Sequence, residues 1–186
     1  MESTKTIVFR KPITVGQDEG RKTYESLQLR EPTAAEYEAA EKLSLEYGMA
    51  APLIAGVSGV PLDVVDQMFE SQINEAEDFL GSFGANLVSP KKASANELKI
   101  SLVAPVKLTE DDSALNVSTL TLCEPTNLQR RKSREAGGPV AQAIELISLN
   151  AHIPKASVRA MCARDFLAAT GYFNGFQLRR RTDRGG

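Results

Sequence analysis

Asp63, Asp66 and Glu70 stand at i, i+3 and i+7, the spacing that places side chains on one helix face. Carboxylates grouped in this way are hard oxygen donors for a divalent cation. A solvated acidic surface has the same pattern, and 93 positions later the residues are Ala156, Arg159 and Ala163. His152 is the sole histidine, and Cys123 and Cys162 are the only cysteines. Their spacings fit no zinc signature, so they read as part-buried reduced thiols and a surface or helix-end imidazole. The sequence holds no phosphate-cradling G-x-x-x-x-G-K-[ST] loop, dinucleotide fingerprint, H-E-x-x-H or G-x-S-x-G. Gly56 and Gly59 in IAGVSGVP sit in too apolar a setting to cradle phosphate. No enzyme, no metal and no cofactor are expected.

The strongest pattern is internal. LQLREPT at 27–33 returns as LTLCEPT at 120–126, and a shift of 93 aligns the halves without a gap from about residue 7 to 83. Pro12 then meets Pro105, Leu27 and Leu29 meet Leu120 and Leu122, and Pro61 meets Pro154. Met68 meets Met161, and Phe83 meets Phe176. Identity is about one position in five, but it falls on apolar and turn positions in a fixed order, as expected of a copied fold.

Each copy has one plan. TIVFRKPITV and KISLVAPVKL read as first strands whose proline suits an edge or a bulge. GQDEGRKT and TEDDSALN supply loops, and YESLQLR and VSTLTLC follow as second strands. Glu31-Pro32-Thr33 and Glu124-Pro125-Thr126 then mean "stop strand, start helix". The proline holds the glutamate before it extended. Thr33 with Glu36, and Thr126 with Gln129, have the spacing of capping boxes. A lone carboxylate such as Glu31 or Glu124, without a second acid, a base or a metal, has little catalytic chemistry to do.

Helical spacing follows at Tyr37, Ala40, Ser44 and Tyr47, then at Leu53, Ile54 and Val57. A further helix is expected from Pro61 with Val65, Met68 and Phe69 together, and the stripe continues at Ile73, Ala76, Leu80 and Phe83. Gly137-Gly138-Pro139 should break the first helix of the second copy. The expected fold is α+β, a tandem duplication in which each copy is a two-stranded antiparallel hairpin followed by three or four short helices. The expected boundaries are 1–83 for the first repeat, 84–99 for a linker, 100–176 for the second repeat and 177–186 for a flexible basic tail.

Hydrophobic residues make up 42% and charged residues 25%, a globular balance. No apolar run approaches the roughly 20 residues of a membrane helix. The first residues lack the pattern of a signal peptide, so cytosolic residence and no membrane partner are expected. Residues 1–83 carry 7 Lys+Arg against 15 Asp+Glu, a balance of −8, and residues 84–186 carry 15 against 9, a balance of +6. Either the halves attract one another, or molecules self-associate head to tail, or two solvated surfaces have diverged in charge. LISLNAHIPKASVRAMCARDF has a helix–turn–helix cadence with Lys155, Arg159 and Arg164, but the matching VPLDVVDQMFES is acidic and would be repelled by DNA. Nucleic acid is therefore not the expected partner.

The run of Phe9, Lys11, Pro12, Ile13, Tyr24, Leu27, Leu29 and Arg30 into Glu31-Pro32-Thr33, extended by Gly59, Val60, Pro61 and Val65, is informative. It resembles the tail assembly chaperone family of Mu-like and P2-like contractile-tailed phages. The first copy carries the resemblance over most of its length, whereas the second keeps Pro105, Glu124-Pro125-Thr126, Ile153-Pro154 and Val158 and has Cys123 in place of the arginine. The resemblance implies a non-enzymatic chaperone that binds the tape measure protein and keeps it soluble until the tail tube forms around it. The alternatives are a structural or adaptor protein retained in the virion, and a helix–turn–helix-like DNA-binding protein.

Overall fold

The computed structural model describes residues 4–85, 96–108 and 116–182. The chain divides into two compact units, Met1–Pro32 with Glu36–Phe83, and Gly84–Gly186 with Thr33–Ala35.

The first unit opens with β1 (Thr4–Val15) and β2 (Lys22–Arg30), paired antiparallel. Ile7 faces Leu27 across the ladder, and the register shifts between Val8 and Ile13, around Pro12. Proline has no N–H to give a ladder, so the strand bulges there. Gly16, at φ +89°, starts the turn to β2, and a Cβ on it would lie 2.5 Å from the Gly20 carbonyl oxygen. Four helices follow: α1 (Ala34–Tyr47), α2 (Ala50–Ser58), α3 (Leu62–Val65) and α4 (Glu70–Ser82). α2 packs on β2, α3 on β1, and α4 on both strands. The two-residue strand period turns Ile7, Phe9, Leu27 and Leu29 inward, where they are buried with Ile54, Val57, Val65, Leu80 and Phe83. A hairpin alone is marginal in water, and this burial is what stabilises it.

The second unit has β3 (Glu97–Lys107) and β4 (Asn116–Cys123), again antiparallel. Ile100 faces Leu120, and the register shifts between Ser101 and Val106, around Pro105. Then come α5 (Asn127–Ser133), a 3-10 turn at Arg134–Ala136, α6 (Pro139–Ala151), α7 (Lys155–Arg159) and α8 (Ala163–Thr182). α6 packs on β4, and α7 and α8 on β3. β1 and β3 begin 93 residues apart, as do α1 and α5, α3 and α7, and α4 and α8. Both bulges obey the same offset. The α+β architecture of two hairpins, each followed by several helices, is therefore as expected from the sequence.

Three details differ from that reading, and a fourth agrees with it. β3 begins at Glu97, so residues 97–99 belong to a strand and not to the expected linker, of which 86–95 lie outside the described residues. α8 runs to Thr182, through the first six residues of the expected tail, while 183–186 lie outside the described residues. α3 stops at Val65, and Phe69 is the extended residue before α4, 44% exposed, instead of packing beside Met68 on one helix. The helix break does fall at Gly137, with φ 104°, and Pro139 starts the next helix, where its missing N–H costs nothing.

Candidate functional site

The strand-to-helix junctions are built differently in the two units. At the second, Thr126 precedes α5 and accepts from the Gln129 N–H at 3.2 Å, while Gln129 Oε1 accepts from the Thr126 N–H at 2.9 Å. Both bonds of a capping box are present. Gln129 also donates to the Leu149 carbonyl at 3.2 Å, tying the cap to the end of α6. Asn150 completes the knot by donating to Gln129 Oε1 at 3.3 Å and accepting from the Cys123 N–H at 2.8 Å. Glu124 is exposed and Pro125 half-buried.

At the first junction Pro32 is buried and Thr33 directly precedes α1. Glu36 takes both arms of the Arg30 guanidinium, at 3.0 and 2.5 Å. That fork raises the arginine pKa, first through the hydrogen bond to Glu36. Residue 123, the counterpart of Arg30, is a cysteine, so the second unit lacks the fork's donor. Burial pushes the Tyr37 hydroxyl up, and the charge of Glu31 adds to it. Glu36 thus ties the end of β2 to α1, and Gln129 ties the start of α5 to the end of α6.

Sequence reasoning missed a second pair of fasteners. In the bulge, ladder bonds lapse and backbone groups need other partners. Buried Gln72 donates from Nε2 to the Val8 carbonyl at 2.8 Å. Its counterpart 93 residues on, buried Asp165, accepts from the Val103 N–H at 2.9 Å. One helix position thus serves both bulges with opposite polarity. The available signal was a polar residue at a core position of the stripe in both copies.

The acidic trio does not share a helix: Asp63 lies in α3, Asp66 caps its end and Glu70 starts α4. Among the described residues no three His, Cys, Asp or Glu side chains are placed to hold a metal ion. Cys123 is exposed, and the Cys162 thiol donates to Asp165 Oδ2 at 3.3 Å. His152 ends α6 in the left-handed conformation, φ 56°. The Lys155 ammonium pairs with Glu145. α7 spans five residues, about 8 Å at the α-helical rise, a short piece to lay along a DNA groove. No helix among the described residues is long and apolar enough to cross a membrane.

What the surface does offer is apolar. Leu43, Leu45 and Tyr47 at the end of α1 are 45%, 102% and 39% exposed. A cleft of about 450 Å³ opens between β3 and α7, lined by Pro105, Val106, Leu108, Pro154, Ala156 and Ala160, with Lys107 and Ser157. The matching hollow of the first unit is about 200 Å³ and more polar, with Lys11, Gln67 and Gln72 beside Pro12, Ile13 and Phe69. Exposed apolar patches of this kind are candidate surfaces for binding other molecules.

Residues 6–84 match the model of a family described as phage tail assembly chaperone proteins, E, or 41 or 14. That span covers the first hairpin and α1 to α4. No curated protein and no solved structure matches the chain.

Proposed function

We propose that this chain is a non-enzymatic phage tail assembly chaperone that binds the tape measure protein in the host cytoplasm and keeps it soluble until the tail tube polymerises. The similarity of residues 6–84 to that chaperone family carries the reading. The exposed apolar end of α1, within the same residues, supports it. A long helical client with unpaired apolar faces aggregates unless those faces are masked reversibly, and short amphipathic helices mask them without any nucleotide. The second unit, in which β3, α5, α7 and α8 start 93 residues after β1, α1, α3 and α4, supports a tandem duplication of one client-binding module.

Co-expression tests this. The tape measure protein should stay soluble and co-purify with the chain, and should precipitate when expressed alone. Mature particles should lack the chain. Stoichiometric recovery from purified virions would instead make it a structural or adaptor component of the tail.

A further inference from the structure

We propose that copies of this chain join through a backbone bridge, residues 126–128 of one copy pairing with residues 68 and 69 of another. The second unit, which includes Thr33–Ala35, already contains such a contact once. There the Ala34 N–H donates to the Met161 carbonyl at 2.9 Å, and Thr33 forms an isolated antiparallel bridge with Cys162. Thr33 directly precedes α1 and Cys162 directly precedes α8, so the contact is a strand addition between two helix starts. Ala34 and Met161 are both buried.

The offset of 93 carries both halves of that contact to a second place. Thr33 and Ala34 become Thr126 and Asn127, and Met161 and Cys162 become Met68 and Phe69. Thr126 precedes α5 with an extended backbone, φ −68° and ψ 158°, and Phe69 precedes α4 with φ −72° and ψ 145°. Neither takes part in a bridge among the described residues. Both halves lie at the surface: Asn127 is exposed, Leu128 is 50% exposed and Phe69 is 44% exposed. Ala35 and Cys162, at the positions of Leu128 and Phe69 in the contact already made, are less exposed. Arg10 stacks on the Phe69 ring and donates to Ser71 at 2.9 Å, which holds the ring in place.

Charge fits the pairing. Leu128, Arg131 and Lys132 stand at i, i+3 and i+4 on one face of α5, and all three are exposed. Asp66 and Glu70, on either side of Phe69 along the chain, are exposed as well. An apolar side chain beside two cations therefore meets an apolar ring beside two carboxylates. The occupant is a second copy of this chain, because the run Glu-Pro-Thr that leads into the made bridge also leads into residues 126–128.

Sedimentation and light scattering on the full chain test this. The unaltered protein should gain mass with concentration, and added salt should reduce the gain. Phe69→Asp and Leu128→Asp should each weaken association at least tenfold, with circular dichroism unchanged. Asn127→Pro isolates the backbone bond. Position 127 is the first of α5, where proline suits the helix but removes the N–H that the bridge requires, so association should again weaken at least tenfold. An equimolar mixture of the Phe69→Asp and Leu128→Asp chains keeps one intact segment and one intact receiving edge, and should form a complex of two chains. An unaltered chain that stays monomeric up to its solubility limit overturns the proposal, as does an Asn127→Pro chain that associates like the unaltered one, or a mixture that stays monomeric. If the unaltered chain is monomeric while Phe69→Asp loses the tape measure protein, the edge at Phe69 serves that client and the proposal also fails.

Discussion

The last turn before each conserved-offset proline shows how one backbone tolerates two chemistries. α2 ends at Gly59 with φ 73°, and α6 ends 93 residues later at His152 with φ 56°, each N–H returning to the carbonyl four residues back. Glycine enters that left-handed region freely, whereas a side chain with a Cβ costs about 1 kcal/mol there. The same division recurs at the bulges, where Gln72 gives a hydrogen bond and Asp165 receives one. It recurs at the junctions, where the first unit has an arginine–glutamate fork and the second has Cys123 in place of the arginine. The backbone plan is held in common, and the polar chemistry that secures it has been solved twice. Packing tolerates a change of fastener provided that no buried backbone group is left alone.

Four experiments would break or sharpen this comparison. The largest effect should come from the shared core: Leu29 and Leu122 are both fully buried at matching ladder positions. Leu29→Ala and Leu122→Ala should each cost about 2–5 kcal/mol in urea denaturation. A loss below about 1 kcal/mol at one site alone would mean the hairpins are not equivalently packed. Next come the bulge fasteners. Gln72→Leu and Asp165→Leu should each lose about 1 kcal/mol by removing the partner of a part-buried carbonyl or N–H. Gln72→Glu should be no better than the leucine variant, because a carboxylate offers the Val8 carbonyl no donor when ionised.

The helix ends should move in opposite directions. His152→Gly should raise stability by about 0.5–1 kcal/mol, since the imidazole is exposed and only backbone strain is relieved. Gly59→Ala should lower it by about 1 kcal/mol; a Cβ there meets nothing within 4 Å, so the loss would be conformational. Thermal melts of both variants would measure the pair.

The smallest effect is in alkali. Burial raises the hydroxyl of Tyr37 in the first unit, and that of fully buried Tyr172 in the second, where Cys123, Glu124 and Glu97 add to it. The folded chain therefore holds these protons more tightly than the unfolded one. Their contribution is whole below the ordinary tyrosine value of about 10 and falls as pH rises through the folded values. Ultraviolet titration should show Tyr37 and Tyr172 ionising late, together with Tyr47, whose hydroxyl Glu46 raises, with urea midpoints declining over the same range. Ionisation of Tyr37 and Tyr172 at the ordinary value would show that neither hydroxyl is shielded.

Much of the fold was legible because it rests on short-range rules. The alternation around Leu27 and Leu29, the Pro12 and Pro105 bulges and the Gly137 break depend on the residue itself and its neighbours. The overextended helix after Pro61 was misread for a related reason. Val65, Met68 and Phe69 have helical spacing, but the chain must leave α3 to enter α4, and Phe69 adopts an extended backbone there. Arg10 stacks on its exposed ring at 5.3 Å from the centroid. Periodicity records which residues are apolar and not where the chain turns.

The sequence by itself determined the two hairpin-and-helix plans, their spacing and the poverty of catalytic groups, because strand period, proline geometry and residue type act locally. Only the tertiary structure decided which polar side chain serves each bulge, that Glu36 faces Arg30, and that Ala160 lines a wide cleft where Gln67, its counterpart, lines a smaller hollow. Those outcomes join residues of different elements or weigh the volume of one side chain against the space around it. Such distances and volumes exist only once the helices are packed on the strands.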